Sequence, residues 1–317
     1  MWCGVCIARR TLAACRGCVT RNDVRYHGYL ERPSGDAIPV TAPIVPDFRE
    51  VFARCFEAID AHPTGDTWHG TEFDANGVPY VHASNVSGCP RQFVLHAAGA
   101  ESDGNTVDSS MNFALGNSLH KTLEDGLKYL DGFDGWTCLF SEHGLTHSKM
   151  ALKGKADAIL RAPSGQTVLF DLKSEAATSK TMREKQYADR VRPEHKLQCA
   201  AGALLAEDAV LVTERIETGM ICYVSRQLGK NVWDFESIPF EITDALRAEV
   251  VECVTNRVEA WNKYRDTGEF PPALAKVFQY GKLAVPWMCN PRSAIDRRGK
   301  FCEFRTACAG CPFGVEL

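Results

Sequence analysis

Residues 152–174 read LKGKADAILRAPSGQTVLFDLKS. Two apolar runs flank Pro163, Ser164, Gly165 and Gln166, a turn composition, so the segment predicts an antiparallel hairpin. The second run ends on Asp171 and Lys173, with only Leu172 between them. Alternate side chains of a strand share a face, so Asp171 and Lys173 project together and Leu172 points away. Opposite charges beside a hydrophobic core are costly unless something there uses them. Across a tight hairpin, Asp157 of the first run converges on Asp171 at one end of the sheet. Two carboxylates with carbonyl oxygens nearby suit Mg²⁺ or Mn²⁺, hard ions that prefer oxygen ligands. A lysine beside them is placed to orient a metal-bound water or to help deprotonate it.

Helical apolar spacing runs through 46–62, and residues 31–46 read as a Pro-rich linker. Residues 62–82 read as a loop. The stretch 84–99 opens on Ser and Asn and predicts a short helix capped by them. Phe113, Leu115, Leu119, Leu123 and Leu127 form a helical stripe, and residues 137–142 read as a strand. Beyond the hairpin come a helix over 197–210, strands over 219–226 and 231–240, and a long helix opened by Thr243. The tail from Pro271 reads as irregular. Helices alternating with strands in this order indicate a mixed α/β domain over 46–317, preceded by an extension over 1–45.

The 317 residues have a formal charge of −4, so the chain as a whole is not a basic nucleic-acid coat, and attraction to phosphate must come from local patches. No apolar run reaches the length of a membrane span. Fourteen cysteines without a secretory-signal pattern point to a cytoplasmic chain whose thiols bind metal or pack in the core, rather than to a disulfide framework. Cys55, Cys138, Cys199, Cys222 and Cys253 lie in apolar stretches and are most simply core residues. The first 25 residues carry five arginines and, before Asp23, no acid. That composition is similar to a transit peptide. It also holds Cys3-x-x-Cys6 and Cys15-x-x-Cys18, which together can bind a tetrahedral Zn²⁺; a zinc knuckle and an unstructured leader both stay open.

Gly154-x-x-Asp157 followed by Asp171-x-Lys173 in a hairpin resembles the PD-(D/E)XK nuclease superfamily. His120, in GNSLHKTLEDG, and Gln198, in HKLQCAAG, resemble the histidine and glutamine of its RecB-like branch. Gly202 stands where that branch has a tyrosine four residues after the glutamine, so the resemblance does not extend to that tyrosine's DNA contact. The resemblance implies a restriction-endonuclease-like core, a mixed central sheet flanked by helices. It implies metal ligands His120, Asp157, Asp171 and the backbone carbonyl of Leu172, with Lys173 positioning water and Gln198 supporting the lysine or the scissile phosphate. Glu124, one turn after His120, faces the same way and is a weaker candidate for the metal's surroundings.

Cys89 stands in a Cys-Pro-Arg segment, and the tail over 286–317 holds Cys289, Cys302, Cys308 and Cys311. This arrangement resembles the iron–sulfur exonucleases of the same branch: the CRISPR-associated RecB-like family, its phage relatives and the AddB nuclease domain. The resemblance implies a [4Fe–4S] cluster on Cys89, Cys289, Cys302 and Cys308, closing the two ends of the domain together. Twelve residues separate Cys289 from Cys302 where the family has two, so Cys311 is a rival ligand, and zinc is a rival metal for four thiolates. The resemblance spans roughly residues 80–311.

Residues 179–196 carry Lys180, Arg183, Lys185, Arg190, Arg192 and Lys196 against three acids, and Arg292, Arg297, Arg298 and Lys300 follow in the tail. Phosphate contacts of that kind give sequence-independent, salt-sensitive binding, and Tyr187 nearby is a candidate for base stacking. The combined expectation is a Mg²⁺- or Mn²⁺-dependent DNA exonuclease acting on single strands or duplex ends, beside recombination, repair or CRISPR-adaptation proteins. An endonuclease on the same core, and an inactive DNA-binding subunit of a repair complex, are its rivals.

Overall fold

The computed structural model describes residues 46–48, 50, 51, 54, 71–100, 107–130, 132–227, 232–272, 277–279, 282–284, 304 and 308. The four N-terminal cysteines, the linker, Cys289, Cys302, Cys311 and the basic stretch 292–300 lie outside the described residues.

The predicted hairpin forms. Strand β3 (Leu152–Arg161) pairs antiparallel with β4 (Thr167–Ala176) from Ala158↔Phe170 to Arg161↔Thr167. The turn closes with Ala162 N–H donating to the Gln166 carbonyl at 2.9 Å, and Gly165 takes a φ of 86° that favours glycine. Around this hairpin lie β1 (Val81–His82), helix α1 (Pro90–Ala97), helix α2 (Val107–Tyr129) and β2 (Thr137–Thr146). After it come α3 (Ala177–Gln186), α4 (Pro193–Asp208), β5 (Thr218–Gln227), β6 (Val232–Glu241), α5 (Asp244–Thr267), and a small hairpin of β7 (Val277–Gln279) and β8 (Lys282–Ala284). The main sheet runs β1-β3-β4-β5-β6, with β2 pairing on β3. The β1–β3 and β4–β5 pairs are parallel and the rest antiparallel. The architecture is therefore a mixed sheet flanked by helices.

Alternation along the strands feeds two cores. Leu169, Ile221 and Ile159 pack with Leu197, Ala203 and Leu205 of α4. Phe170, Leu172 and Cys222 pack with Leu123 and Leu127 of α2 and with Phe48, whose ring stacks on Phe170 at 4.5 Å. Helices α2 and α4 thus cover opposite faces of the sheet. Cys199 and Cys222 are fully buried, as expected of core cysteines, whereas Cys138 and Cys253 are only half-buried and Cys55 lies outside the described residues.

Several local expectations need correcting. Helix α1 is not capped by Ser or Asn: Cys89 occupies the N-cap and Pro90 follows inside the first turn, where proline's missing N–H costs nothing. The segment read as a loop contributes β1 and a bridge between Phe73 and Pro79. Helix α3 lies within the charged stretch, where no helix was expected. Thr243 does cap α5, its side chain accepting from Leu246 N at 3.2 Å.

Candidate metal centre

Strand β3 is paired along one edge by β2. Its other edge is shared by β1, which pairs at Leu152 and Lys153, and by β4, which begins pairing at Ala158. Residues 154–157 lie between and have no ladder partner on that edge. Gly154 sits in this opening because a Cβ there would lie 2.7 Å from the Cβ of Ala83. The glycine of the G-x-x-D pattern is therefore a packing requirement.

At the end of the opening, Asp157 Oδ2 accepts from the backbone N–H of Leu172 at 2.7 Å and lies 3.1 Å from His120 Nδ1. The N–H and C=O of a strand residue leave by the same edge, so the Leu172 carbonyl emerges on the Asp157 side. Asp171 and Lys173 share the α4 face, as predicted. Lys173 Nζ donates to Asp171 Oδ1 at 3.0 Å and to Gln198 Oε1 at 2.9 Å, and Gln198 Nε2 donates to Asp171 Oδ1 at 2.9 Å. His120 thus reaches Asp157 from α2, and Gln198 reaches Asp171 and Lys173 from α4. Glu124 joins them: one ligand atom each of His120, Glu124 and Asp157 lies within 4.8 Å of the others.

The electrostatics fit a site built for a cation. Burial, with help from the Glu142 and Asp157 carboxylates, pushes Glu124 up to about 9. Burial likewise pushes Asp171 up to about 6 despite Lys173. Burial acts to raise Asp157 too, but His120 and Lys173 outweigh it and hold that carboxyl below its ordinary value. Burial opposes the charged forms of Lys173 and His120, yet Asp171 in the first case and Asp157 in the second raise both above their usual values. Asp171 and Gln198 both accept from Lys173 Nζ. Asp171 Oδ2 lies 2.7 Å from Lys173 Nζ but has no aligned hydrogen-bond donor. That leaves a buried carboxylate oxygen with lone pairs available. His120, Glu124 and Asp157 make an oxygen-rich donor set that fits Mg²⁺ or Mn²⁺, and the Asp171 carboxylate lies outside that close group.

Two features escaped the sequence reading. Glu142, in mid-strand on β2 with a φ of 51°, is one of the carboxylates that raise Glu124; a positive φ at a non-glycine residue is uncommon in a strand. Tyr223, paired in register with Lys173 on β5, is 1 % exposed. Its hydroxyl accepts from Arg192 N at 3.2 Å and meets His195 Nδ1 at 2.8 Å. Neither had a motif to mark it. At Gly202, a Cβ would lie 3.0 Å from Leu169 Cδ2, so this position faces the sheet and has no room for a tyrosine.

The basic stretch is mostly committed within the molecule. Arg183 is fully buried, bonded to Glu175 and Glu236 at 3.0 and 2.8 Å, and stacked 3.8 Å above the Tyr223 ring. It has no face to offer a phosphate, contrary to expectation. Arg190 pairs with Glu236, Lys196 with Asp189, Lys180 with Asp234, and Arg192 lies 3.8 Å from Glu194. Lys185 is exposed and makes no ion pair among the described residues.

Cys89 and Cys308 are both buried, and Cys308 packs with Phe304 and Leu95, the latter on the helix that Cys89 caps. Phe304 also meets His96 edge-on at 5.9 Å, and Arg91 donates to the Pro271 carbonyl at 2.8 Å. The tail residues described thus return to α1.

No family model matches the chain, and no curated protein matches it. Among solved structures it is similar to the crystal structure of SSO0001, with 18% identity, a TM-score of 0.34, and coverage of 67% of this chain and 85% of that one. It is also similar to the crystal structure of LHK-Exo in complex with dAMP, with 15% identity, a TM-score of 0.41, and coverage of 61% and 94%. Likenesses at this level carry no weight for the site, which stands on its own geometry. No helix among the described residues is long and apolar enough to cross a membrane.

Proposed function

We propose that the chain is a metal-dependent DNA exonuclease with a RecB-like core, closed by an iron–sulfur cluster on Cys89, Cys308 and two further cysteines of the tail. The observation that supports the nuclease reading is that the His120–Asp157 pair and the Asp171–Lys173–Gln198 cluster are joined by the bond from Leu172 N–H to Asp157. Asp157, Asp171 and His120, with the Leu172 carbonyl, would hold Mg²⁺ or Mn²⁺, and Glu124 adds a carboxylate beside them. The bound ion supplies Lewis acidity, lowering the pKa of water and offsetting charge on a phosphate. Lys173, fixed by Asp171 and Gln198, presents its ammonium to the attacking water and the phosphate. Gln198 keeps that ammonium from collapsing wholly onto Asp171, since its amide bonds both partners. By resemblance the products carry 5′-phosphate and 3′-hydroxyl ends.

The test is digestion of end-labelled linear DNA and closed circular DNA with Mg²⁺, Mn²⁺ or EDTA. Metal-dependent loss of linear DNA with circles left intact is expected. Nicked circles would place the endonuclease first, and no cleavage of either with both metals would favour the inactive DNA-binding subunit.

A further inference from the structure

His195 is the third residue of α4, one turn before Gln198, and residues three apart on a helix share a face. Gln198 reaches Lys173 and Asp171 on β4. His195 reaches the neighbouring strand, where Tyr223, paired in register with Lys173, meets its Nδ1 at 2.8 Å. These two contacts set the imidazole beside the Lys173 cluster on the α4 side of the sheet.

The hydrogen on that ring is fixed by its partner. The Tyr223 oxygen already accepts from Arg192 N–H at 3.2 Å, and the tyrosine is 1 % exposed. The acceptor left for its buried O–H among the described residues is His195 Nδ1. Nδ1 is therefore unprotonated, and the neutral imidazole carries its hydrogen on Nε2. Nε2 makes no hydrogen bond among the described residues, yet it is not sealed from water. On this half-buried side chain it is an open edge with a donor to offer.

The surroundings favour an anion at that edge. Burial first, then Lys173, Arg192 and Arg183, push the imidazole pKa well below the usual histidine value. Carboxylates of the neighbouring strands are already held, Glu175 and Glu236 by Arg183 and Asp171 by Lys173, while Glu194 lies 3.8 Å from Arg192. His195 also stands in the first turn of α4, where unpaired N–H groups favour negative charge. A phosphodiester, an acceptor with one negative charge, matches a neutral donor set among cations.

We infer that His195 is a substrate-binding residue whose Nε2–H donates to a DNA phosphate flanking the scissile one, with Tyr223 holding the ring in the donating form. The inference deepens the nuclease reading and rests on it. The test uses the full chain and end-labelled linear DNA in which one linkage at a time is a methylphosphonate, which lacks the phosphate's charge and one acceptor oxygen. Wild type, H195N, H195Q and Y223F digest each substrate with Mg²⁺ or Mn²⁺, and the stall at each step is read on a gel. Asparagine keeps an amide near the Nδ1 position, and glutamine places one near Nε2.

On unmodified DNA, kcat/KM of H195N should fall roughly 10- to 100-fold, the size of a lost hydrogen bond to a charged group. H195Q should keep most of the activity, and Y223F should lose less than H195N. In wild type, a methylphosphonate at one flanking linkage should stall digestion by a similar factor. In H195N the same linkage should add little to the loss already present. Equal stalls in wild type and H195N at every linkage would overturn the contact and leave the nuclease standing. Wild type that digests no unmodified DNA with either metal would overturn the nuclease reading and the contact together. Should H195N fail to fold by thermal melting, Y223F carries the comparison, because its ring no longer has the hydrogen held on Nε2. Its stall should shrink at that linkage, and a stall as deep as in wild type would overturn the role of the pair.

Discussion

The carboxylate of Asp157 accepts the backbone N–H of Leu172 at 2.7 Å, standing in for the ladder bond that β3 and β4 stop making at Ala158 and Phe170. The sheet opens there without leaving a buried donor unsatisfied. The same oxygen is the one 3.1 Å from His120, so one side chain closes the sheet and contributes to the candidate metal site.

Asp157 and Asp171 should therefore fail in different ways. Asp157→Ala strands the Leu172 N–H and removes the His120 partner, and is expected to cost about 1–3 kcal/mol of stability as well as activity. Asp171→Asn is isosteric, keeps an oxygen for Lys173, and should leave the fold intact while lowering cleavage by roughly 10²-fold or more. DNA binding should survive in the second variant. Urea denaturation and cleavage rates, measured together, check the split. An Asp171→Asn enzyme as fast as wild type would remove that carboxylate from the metal site.

Glu124 makes the metal-free protein pH-sensitive with a definite sign. Its carboxyl rises from an ordinary value of 4.5 to about 9 on folding, chiefly by burial. A group whose folded pKa is raised contributes stability that is complete below the unfolded value and is lost as pH rises through the folded one. In metal-free buffer, wild-type Tm minus the Tm of Glu124→Gln should fall between about pH 5 and pH 9. Mn²⁺ binding near pH 7 should release protons, measurable by calorimetry in buffers of different ionisation enthalpy. A difference flat across that range would show that Glu124 is ionised in the fold.

The hairpin, both core faces and the shared face of Asp171 and Lys173 were legible because each has a local signal: strand alternation, a turn, and a charge at the end of an apolar run; His120 and Gln198 had none and entered only through a resemblance. What was not legible is what depends on contacts distant in sequence. Helix α3 has no apolar stripe, and its one buried residue is Arg183, so a periodicity built on hydrophobic residues passes over it. Arg183 reads as surface charge until Glu175, Glu236 and Tyr223 are brought around it. The parallel pairing of β4 with β5, which sets Tyr223 beside Lys173, is likewise invisible in either strand alone. Gly202 reads as a lost motif residue, although its reason is the side chain of Leu169 beneath it.

The basic stretch should divide along the same line. Arg183→Met leaves Glu175 and Glu236 partly unpaired in the interior, and is expected to cost about 3–5 kcal/mol with little change in the salt dependence of DNA binding. Lys185→Ala should leave stability within about 0.5 kcal/mol. If Lys185 touches the backbone, that change should lower the slope of log K against log salt by about one. Filter binding across a salt series, beside thermal melts, separates the two. An Arg183→Met variant of native stability with a reduced salt slope would return that arginine to the DNA interface.

Restoring the tyrosine of the related motif should not help. A Cβ at position 202 already stands 3.0 Å from Leu169 Cδ2, and α4 has no room to retreat while Leu197, Ala203 and Leu205 pack on the same face of the sheet. Gly202→Tyr is expected to lose at least about 1–3 kcal/mol through overpacking, with cleavage lowered in step and no gain in DNA affinity. Gly202→Ala should show a milder form of the same loss, since Leu169 can yield by a few tenths of an ångström. Chemical denaturation of both variants measures it. A stable Gly202→Tyr protein with tighter DNA binding would mean that α4 presents this position to the substrate rather than to β4.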